Sequence, residues 1–251
     1  MAKNFLFDTA AVDFTRHISL FSGLTDADKD LLLREGSLHC YPRKTILFRH
    51  GDPVTHFYVI GSGTIRLFHE TAEGCEVTTD ILVAGDTLCA ADIFSSSELH
   101  HSHAAAVNDV TVMKFSIEWL RDATQRHPCI AFNLLAALSK QTQQLKTEAG
   151  NQSMMSAMQL TACLLQKICV FHDLDPAGFA LPYNKSLVAS RIGMKLETLS
   201  RTFPKLKDIG IRVEERQVTF VDLPAVKQNV CDHCPGMEQC CAYKALHGTG
   251  F

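Results

Sequence analysis

Four cysteines lie within eleven residues, in the stretch CDHCPGMEQCC, and their number and spacing could support metal or redox chemistry. They are Cys231, Cys234, Cys240 and Cys241. The turn that Pro235-Gly236 favours would let the thiolates point at one centre. We predict a metal site here, either a [4Fe–4S] cluster or a zinc ion completed by His247; a reversible dithiol switch and a chance grouping of cysteines without function stay open. Because adjacent cysteines are hard to direct at one cluster, the fourth ligand stays open.

The cellular compartment decides whether such thiols would pair as disulfides. No run in the sequence approaches the roughly 20 apolar residues that cross a bilayer. The stretch MAKNFLFDTAAVDF lacks the apolar core and cleavage site of a secretion signal. We therefore expect a cytoplasmic protein with no membrane partner. Because cytoplasmic thiols stay reduced, metal binding or redox switching is favoured over disulfide formation.

The segment between about Tyr41 and Ser116 has the pattern of short strands. Its β-rich runs are separated by glycine-centred turns, and they are HFYVI (56–60), TIRLFHE (64–70), EVTTDILV (76–83) and VTVMKFS (110–116). Several short strands at this spacing predict an all-β sandwich or barrel. A short helix over residues 22–36, capped by Thr25, is predicted before them.

After Ser116 the apolar period becomes helical. IEWLRDATQRH predicts one helix, and a second, longer helix is expected to begin at Pro128. An apolar seam with steps of four and three residues runs along it: Leu134, Leu138, Gln141, Leu145 and Ala149. A narrow seam of this kind favours pairing with a second copy of the chain. Gly150-Asn151 is expected to break the helix before another apolar helix over 153–171.

The stretch NKSLVASRIGMKLETLSRTFPKLKDIGI (184–211) predicts two helices joined by a turn. Asn184 can cap the first helix, and Gly193 allows the left-handed turn between them. Leu199 and Leu206 should face inward from the second helix, in which Pro204 is expected to cause a kink. The following stretch, IRVEERQVTFVD (211–222), predicts a β-hairpin. Between Lys185 and Arg216 basic residues exceed acidic ones by four.

This arrangement predicts DNA binding by a winged helix-turn-helix, whose second helix enters the major groove. Six polar residues on or beside that helix are the expected DNA contacts: Lys195, Glu197, Thr198, Ser200, Arg201 and Lys205. Arg201 suits bidentate recognition of guanine, and Glu197 can accept a hydrogen bond from cytosine. Ser200 can reach a base or a phosphate.

Nearly the whole chain resembles the Crp/Fnr family of bacterial transcription regulators. The stretches that carry the resemblance are FRHGDPVTHFYVIGSGTIRLF (48–68), GDTL (85–88), EAGN (148–151) and ETLSR (197–201). The resemblance implies an α+β fold with an N-terminal cyclic-nucleotide-binding-like β-barrel (jelly roll), a long dimerisation helix and a C-terminal winged helix-turn-helix. The expected boundaries are 1–126 for the sensor barrel, 127–151 for the dimerisation helix, 152–225 for the DNA-binding domain and 226–251 for the cysteine-rich tail.

The resemblance also implies the partners. A homodimer would bind an inverted repeat of TTGAT-like half-sites through Glu197, Ser200 and Arg201, and RNA polymerase would be a further partner. Where cyclic-AMP-binding members carry Gly-Glu and Arg-Ser pairs, this chain has Cys89-Ala90 and, roughly, His101-Ser102. Because the acceptor for the ribose and the counter-charge for the phosphate are missing, we expect no cyclic-nucleotide binding.

The signal is expected to be oxygen, redox state or nitric oxide, since oxygen-sensing relatives carry a cysteine cluster and some place it at the C-terminus. Haem is the alternative cofactor, because related regulators sense gases through haem, and an effector pocket with Cys89, His101 and His103 could hold one. His101-x-His103 in a β-barrel is also similar to metal-dependent cupin enzymes. Since no glutamate follows before Glu118, an enzyme is not expected.

Overall fold

The computed structural model describes residues 18–93, 95–171 and 174–230. The predicted metal ligands Cys231, Cys234, Cys240 and Cys241 lie outside these described residues. The chain forms two compact units, Met1–Gln143 and Gln144–Phe251. Among the described residues, none of the helices combines the length and the apolar character that a membrane span requires.

The described secondary structure consists of helices and antiparallel strands. The strands are β1 (Ser37–Tyr41), β2 (Ile46–Phe48), β3 (His56–Ser62), β4 (Thr64–Glu70), β5 (Glu76–Val83), β6 (Thr87–Leu88), β7 (His103–Ala106), β8 (Val110–Ser116), β9 (Phe179–Ala180), β10 (Ile211–Glu214) and β11 (Gln217–Phe220). The α-helices are α1 (Asp26–Arg34), α2 (Ala90–Ile93), α3 (Ile117–Arg126), α4 (Pro128–Met154), α5 (Ala157–Phe171), α6 (Lys185–Arg191), α7 (Leu196–Thr202) and α8 (Leu223–Asn229). Short 3-10 helices span Ser19–Phe21 and Phe203–Ile209.

The first unit is a β-roll made of two four-stranded sheets, with strand orders β1-β8-β3-β6 and β2-β7-β4-β5. The predicted α+β fold is confirmed, but the described strands do not hydrogen-bond into a closed barrel. The turn between β3 and β4 depends on Gly63, which has φ +84°. A Cβ atom there would lie 2.3 Å from the carbonyl oxygen of Asp109, so only glycine fits this close approach.

Strand β3 is buried on both faces, which explains its continuous apolar run. Successive side chains of a strand point to opposite faces. Tyr58 and Ile60 face the interior of the roll, whereas Phe57 and Val59 join a second core. That second core is built largely from α1, α3 and the start of α4. Helix α1 is capped as predicted, with Thr25 accepting a hydrogen bond from the Asp28 amide. Helix α3 follows Ser116, as predicted, and the Ser116 hydroxyl accepts a hydrogen bond from the Trp119 amide.

Helix α4 differs from the prediction in two ways. Leu134 is 1% exposed and lies in the core of the first unit, where Leu138 also packs, so the predicted seam is wrong at these positions. Gln141 Nε2 lies 3.4 Å from Asp80 Oδ2 of the same unit. The helix also continues through Gly150 to Met154, and the break falls at 155–156.

The second unit contains α5 to α8 and a three-stranded sheet of order β10-β11-β9. Helix α7 is shorter than predicted, because it ends at Thr202 and continues as the 3-10 helix Phe203–Ile209. Pro204 therefore lies in the first turn of the 3-10 segment, where its missing N–H costs little, and the predicted kink inside the second helix is wrong.

Candidate DNA interface and effector region

Helices α6 and α7 pack together through a tight turn. Asn184 begins α6, because its Oδ1 accepts a hydrogen bond of 2.8 Å from the Leu187 amide. The chain leaves α6 through Gly193, whose φ of +63° lies in the left-handed region. The amide of Met194 then donates to the carbonyl of Ala189, which is almost fully buried. This turn fixes the angle at which α7 begins.

One face of α7 is held in the core of the second unit. Leu199 and Leu206 are fully buried, as predicted, and Phe203 is buried beside them. The Thr202 hydroxyl is also buried, and it donates 2.8 Å to the carbonyl of Thr198. Because this face is anchored, the opposite side of α7 is left for other contacts.

The six predicted DNA contacts lie around this second helix. Lys195, Glu197, Ser200, Arg201 and Lys205 are exposed, and Thr198 is half-buried. Residues 197, 200 and 201 are spaced three and four apart, so they lie on one side of the helix. Arg201 Nε also contacts the carbonyl of Glu197, at 3.3 Å. The arrangement presents a cation and a carboxylate next to each other, near the start of a helix.

The hairpin that follows has its ends fixed by backbone pairing. Ile211 pairs with Phe220 and Glu214 with Gln217, as predicted for a hairpin over 211–222. Its tip turns at Glu215, which has φ +52°. Arg216 Nη2 donates a hydrogen bond of 2.7 Å to the carbonyl of Leu181. This arginine therefore holds the hairpin to its own unit, which the charge count did not anticipate.

A mostly buried group of charges joins α4, α5 and α6 within the second unit. Glu148 Oε1 accepts a hydrogen bond of 2.8 Å from Lys167 Nζ, and the carboxylate oxygens accept hydrogen bonds of 2.8 and 3.0 Å from Arg191 Nη2. Burial raises the pKa of Glu148, but the charges of Arg191 and Lys167 outweigh it, so the pKa lies below its ordinary value. The charge pattern places Arg191 among the basic residues of the predicted DNA-binding segment and gives no indication of this ion pair. The partners of Glu148 lie 19 and 43 positions away along the chain, so no local sequence pattern indicates these ion pairs.

In the first unit, the end of β6 and the start of α2 bring three ionisable side chains together. The ligand atoms of Cys89, Asp92 and His100 all lie within 4.8 Å of one another. His100 Nδ1 lies 3.0 Å from Asp92 Oδ2 and 3.8 Å from Cys89 Sγ. The His100 ring is 3% exposed and stacks on Phe48 at a centroid distance of 3.6 Å. Burial, and then the neighbouring Asp92, raise the pKa of the Cys89 thiol.

The predicted effector residues Cys89, His101 and His103 do not converge. His101 is exposed, with Nε2 2.9 Å from Ser95 Oγ. His103 lies on β7, accepts a 3.3 Å hydrogen bond from the His50 amide, and stacks on Phe68. The histidine beside Cys89 is His100 instead. The position of His100 depends on backbone hydrogen bonds to Gly51 and Asp52, which the sequence pattern does not reveal.

One family model and several regulators from bacteria are similar to this chain in sequence. The profile of the family described as "Cyclic nucleotide-binding domain" matches residues 38–127. The chain is 28% identical to "Cyclic AMP receptor protein" of Thermus thermophilus, over 76% of this chain and 87% of the relative. It is 26% identical to "Fumarate and nitrate reduction regulatory protein" of Shigella dysenteriae, over 72% of this chain and 74% of the relative.

A solved structure has the same fold. The structure of FixK2 from Bradyrhizobium japonicum superposes with a TM-score of 0.70 and 18% identity. The match covers 78% of this chain and 98% of FixK2. At this identity the match establishes the architecture alone.

Proposed function

Because the chain belongs to the Crp/Fnr family of transcriptional regulators, we propose that it regulates transcription by binding DNA as a homodimer. The observation that carries the proposal is the exposed side of α7. Glu197, Ser200 and Arg201 share that side, and the buried Leu199 and Leu206 hold the helix in its unit. A rigid helix with a free polar side is what recognition in the major groove requires.

Each predicted contact has a role that its chemistry supports. Arg201 would donate two hydrogen bonds to guanine, and Glu197 would accept one from cytosine, within a TTGAT-like half-site. Ser200 and Thr198 would bond to a base edge or phosphate, and the exposed Lys195 and Lys205 would contact phosphates. The hairpin tip has both acidic and basic residues, so it would contribute less to phosphate binding than the two lysines.

Helix α4 is the proposed dimer interface. Phe132, Leu135 and Leu145 are 70%, 61% and 51% exposed, which is unusual for large apolar side chains on one helix. Leu135 and Leu145 fall close to a single seam when the helix is underwound to 3.5 residues per turn. A second copy would cover these side chains and so bring two α7 helices to one DNA site. RNA polymerase is the proposed partner of the DNA-bound dimer.

The signal is proposed to be oxygen, redox state or nitric oxide, received in the cytoplasm. The interior of the β-roll supports this choice over a cyclic nucleotide. Cys89 stands where cyclic-AMP-binding members carry a Gly-Glu pair, and it is buried beside His100, which stacks on Phe48, so the groups that would bind a ribose are absent from this position. The proposed sensor is the cysteine cluster of residues 231–241, which would hold a [4Fe–4S] cluster, and its support is the spacing of the thiols.

DNA binding is tested with a duplex that carries two inverted TTGAT half-sites with centres one helical turn apart. We expect the anaerobically prepared chain to bind it at least about 1,000-fold more tightly than a scrambled duplex, which is the lower range for specific regulators. Fluorescence anisotropy gives the affinities, and sedimentation gives two chains per duplex. Equal affinity for both duplexes in anaerobic and aerobic preparations would overturn the proposal.

The sensor is tested by the colour of the protein. Chain purified without oxygen is expected to show broad visible absorbance with matching iron and sulfide content. Cys234→Ala should lose all three, because iron–sulfur clusters need their thiolate ligands. Cys40→Ala, which removes an exposed cysteine of β1, is the matched control and should keep them. A colourless anaerobic protein with stoichiometric zinc in the tail would contradict the iron–sulfur assignment.

A further inference from the structure

We infer that the β-roll itself holds a divalent metal ion, best fitted by Zn²⁺, bound by Cys89 Sγ, Asp92 Oδ2 and His100 Nδ1. This site is separate from the cysteines of residues 231–241. It does not depend on the proposed function, because the roll would bind the ion whether or not the chain binds DNA.

The distances between the three atoms suit a tetrahedral ion. Zinc bonds of about 2.3 Å to sulfur and about 2.0 Å to nitrogen and oxygen set the ligand atoms about 3.5 Å (S to N) and about 3.3 Å (N to O) apart. The observed separations are 3.8 Å between Cys89 Sγ and His100 Nδ1, and 3.0 Å between His100 Nδ1 and Asp92 Oδ2. Small side-chain rotations would bring both to the expected values.

Charge and burial also favour a cation at this place. His100 is 3% and the Asp92 side chain 13% exposed, and Cys89 is buried. A thiol, an imidazole and a carboxylate form a costly polar group in an otherwise apolar interior unless they are well paired. One Zn²⁺ with a thiolate and a carboxylate gives zero net charge, imidazole is the third ligand, and a water molecule would take the fourth position, as in zinc sites with three protein ligands.

The backbone holds the ligands in place before any ion arrives. Cys89 has φ +74°, which is a rare conformation for a residue with a side chain. His100 is fixed by two backbone hydrogen bonds of 2.9 Å, to Gly51 and Asp52, and by its stack on Phe48. The ion would therefore link Cys89, which follows β6, to His100, which lies in the segment between α2 and β7.

Binding has a defined proton balance. Zinc binds cysteine as the thiolate, so Cys89 must give up its thiol proton when the ion binds. Formation of the S–Zn bond breaks the S–H bond, and the proton passes to the buffer. We therefore expect one proton released per ion from this cysteine and an affinity that rises with pH.

The test uses the full chain with serine at all four cysteines of the tail, here called the tail-serine variant. Its substitutions are Cys231→Ser, Cys234→Ser, Cys240→Ser and Cys241→Ser. We expect it to bind one Zn²⁺ per chain by elemental analysis after dialysis. Co²⁺ in its place should give the near-ultraviolet thiolate charge-transfer band and the visible bands of a tetrahedral ion.

Removing a ligand from the tail-serine variant identifies the site. Adding Cys89→Ser should abolish the thiolate band and weaken Zn²⁺ binding on the order of 100-fold or more. Asp92→Asn, a partly exposed ligand, is the second variant and should weaken binding without removing the thiolate band. Adding Cys40→Ser or His101→Ala, at exposed residues of the first unit, should change neither measurement.

Two results would overturn the inference. One is a tail-serine variant that retains no Zn²⁺ and gives no Co²⁺ bands. Because this variant keeps every wild-type residue of the roll, the result could not be attributed to a damaged site. The other is Zn²⁺ binding that is unchanged by both Cys89→Ser and Asp92→Asn. As a readout of folding, Zn²⁺ should raise the melting temperature of the tail-serine variant but not of its Cys89→Ser derivative.

Discussion

Replacing Arg201 with alanine is expected to weaken selective DNA binding strongly while leaving weak, sequence-independent binding in place. A bidentate contact to guanine contributes about 1 to 3 kcal/mol of discrimination, so two half-sites give about 2 to 6 kcal/mol. That range corresponds to a loss of roughly 30-fold to 20,000-fold in affinity for the specific duplex. Arg201 is exposed and outside the core, so the variant should melt at the wild-type temperature.

The guanine contact can be tested atom by atom. Substituting 7-deazaguanine for the half-site guanine removes the N7 acceptor and should weaken binding of the wild-type chain. The same DNA change should have no further effect on Arg201→Ala, because the partner is already gone. Lys205→Ala should instead weaken binding to specific and scrambled duplexes alike and reduce the salt dependence, as expected for a phosphate contact.

A charge-matched control separates recognition from general electrostatics. Arg121 is an exposed arginine of α3 in the first unit, 3.6 Å from Glu98. Arg121→Ala changes net charge by the same amount as Arg201→Ala and should leave DNA affinity nearly unchanged. If Arg201→Ala kept wild-type preference for the TTGAT duplex, the assignment of α7 as the recognition helix would be wrong.

Local patterns in the sequence were sufficient for most of the fold. Strands β5 and β8 begin and end at the predicted residues, because alternating β-branched residues bounded by glycine or Asn-Asp turns carry a strong local signal. The cap at Asn184 and the turn at Gly193 were predictable for the same reason. Each of these features is decided within a few residues of the chain.

The prediction that α4 ends at Gly150 is wrong, because one glycine is not enough to break this helix. Gly150 costs only about 1 kcal/mol inside a helix, which a 27-residue helix tolerates. The true signal was the pair Ser156 and Gln159. Ser156 Oγ accepts from the Gln159 amide, and Gln159 Oε1 accepts from the Ser156 amide, which is a capping box that begins α5.

The candidate sites were less predictable than the elements that carry them. The exposed residues of α7 followed from helical spacing, whereas the group of Cys89, Asp92 and His100 did not. Neighbouring histidines look alike in sequence. The backbone hydrogen bonds of His100 to Gly51 and Asp52 hold this residue with its ring buried, whereas His101 stays exposed. Long-range pairing of this kind decides which of several similar side chains forms a site.

The largest effect on stability is expected from Glu148→Gln. The change keeps the shape of the side chain but removes the negative charge between Lys167 and Arg191, whose side chains are 19% and 15% exposed. Breaking a buried ion pair leaves uncompensated charge and costs about 3 to 5 kcal/mol of unfolding free energy. We expect a loss of this size in the second unit, because all three residues belong to it.

Two probes locate the loss. Hydrogen exchange of amides in α5 and α6 should speed up in the variant, since the three helices lose a common tie. The fluorescence of Trp119, the chain's one tryptophan, reports on the core of the first unit and should be unchanged in the folded variant. Glu214→Gln is the matched control, because its pair with Arg212 is exposed at 3.9 Å and should contribute about 0 to 1 kcal/mol.

The effect of Glu148→Gln should depend on pH in a direction set by the lowered pKa of Glu148. A carboxyl whose pKa is lower in the folded chain stabilises the fold fully above its unfolded pKa, near the ordinary value of 4.5. That stability is lost as the pH falls through the lower, folded value. The difference between wild type and variant should therefore be largest near neutral pH and shrink on acidification. A difference that stayed constant through this range would mean that packing, rather than charge, accounts for the role of Glu148.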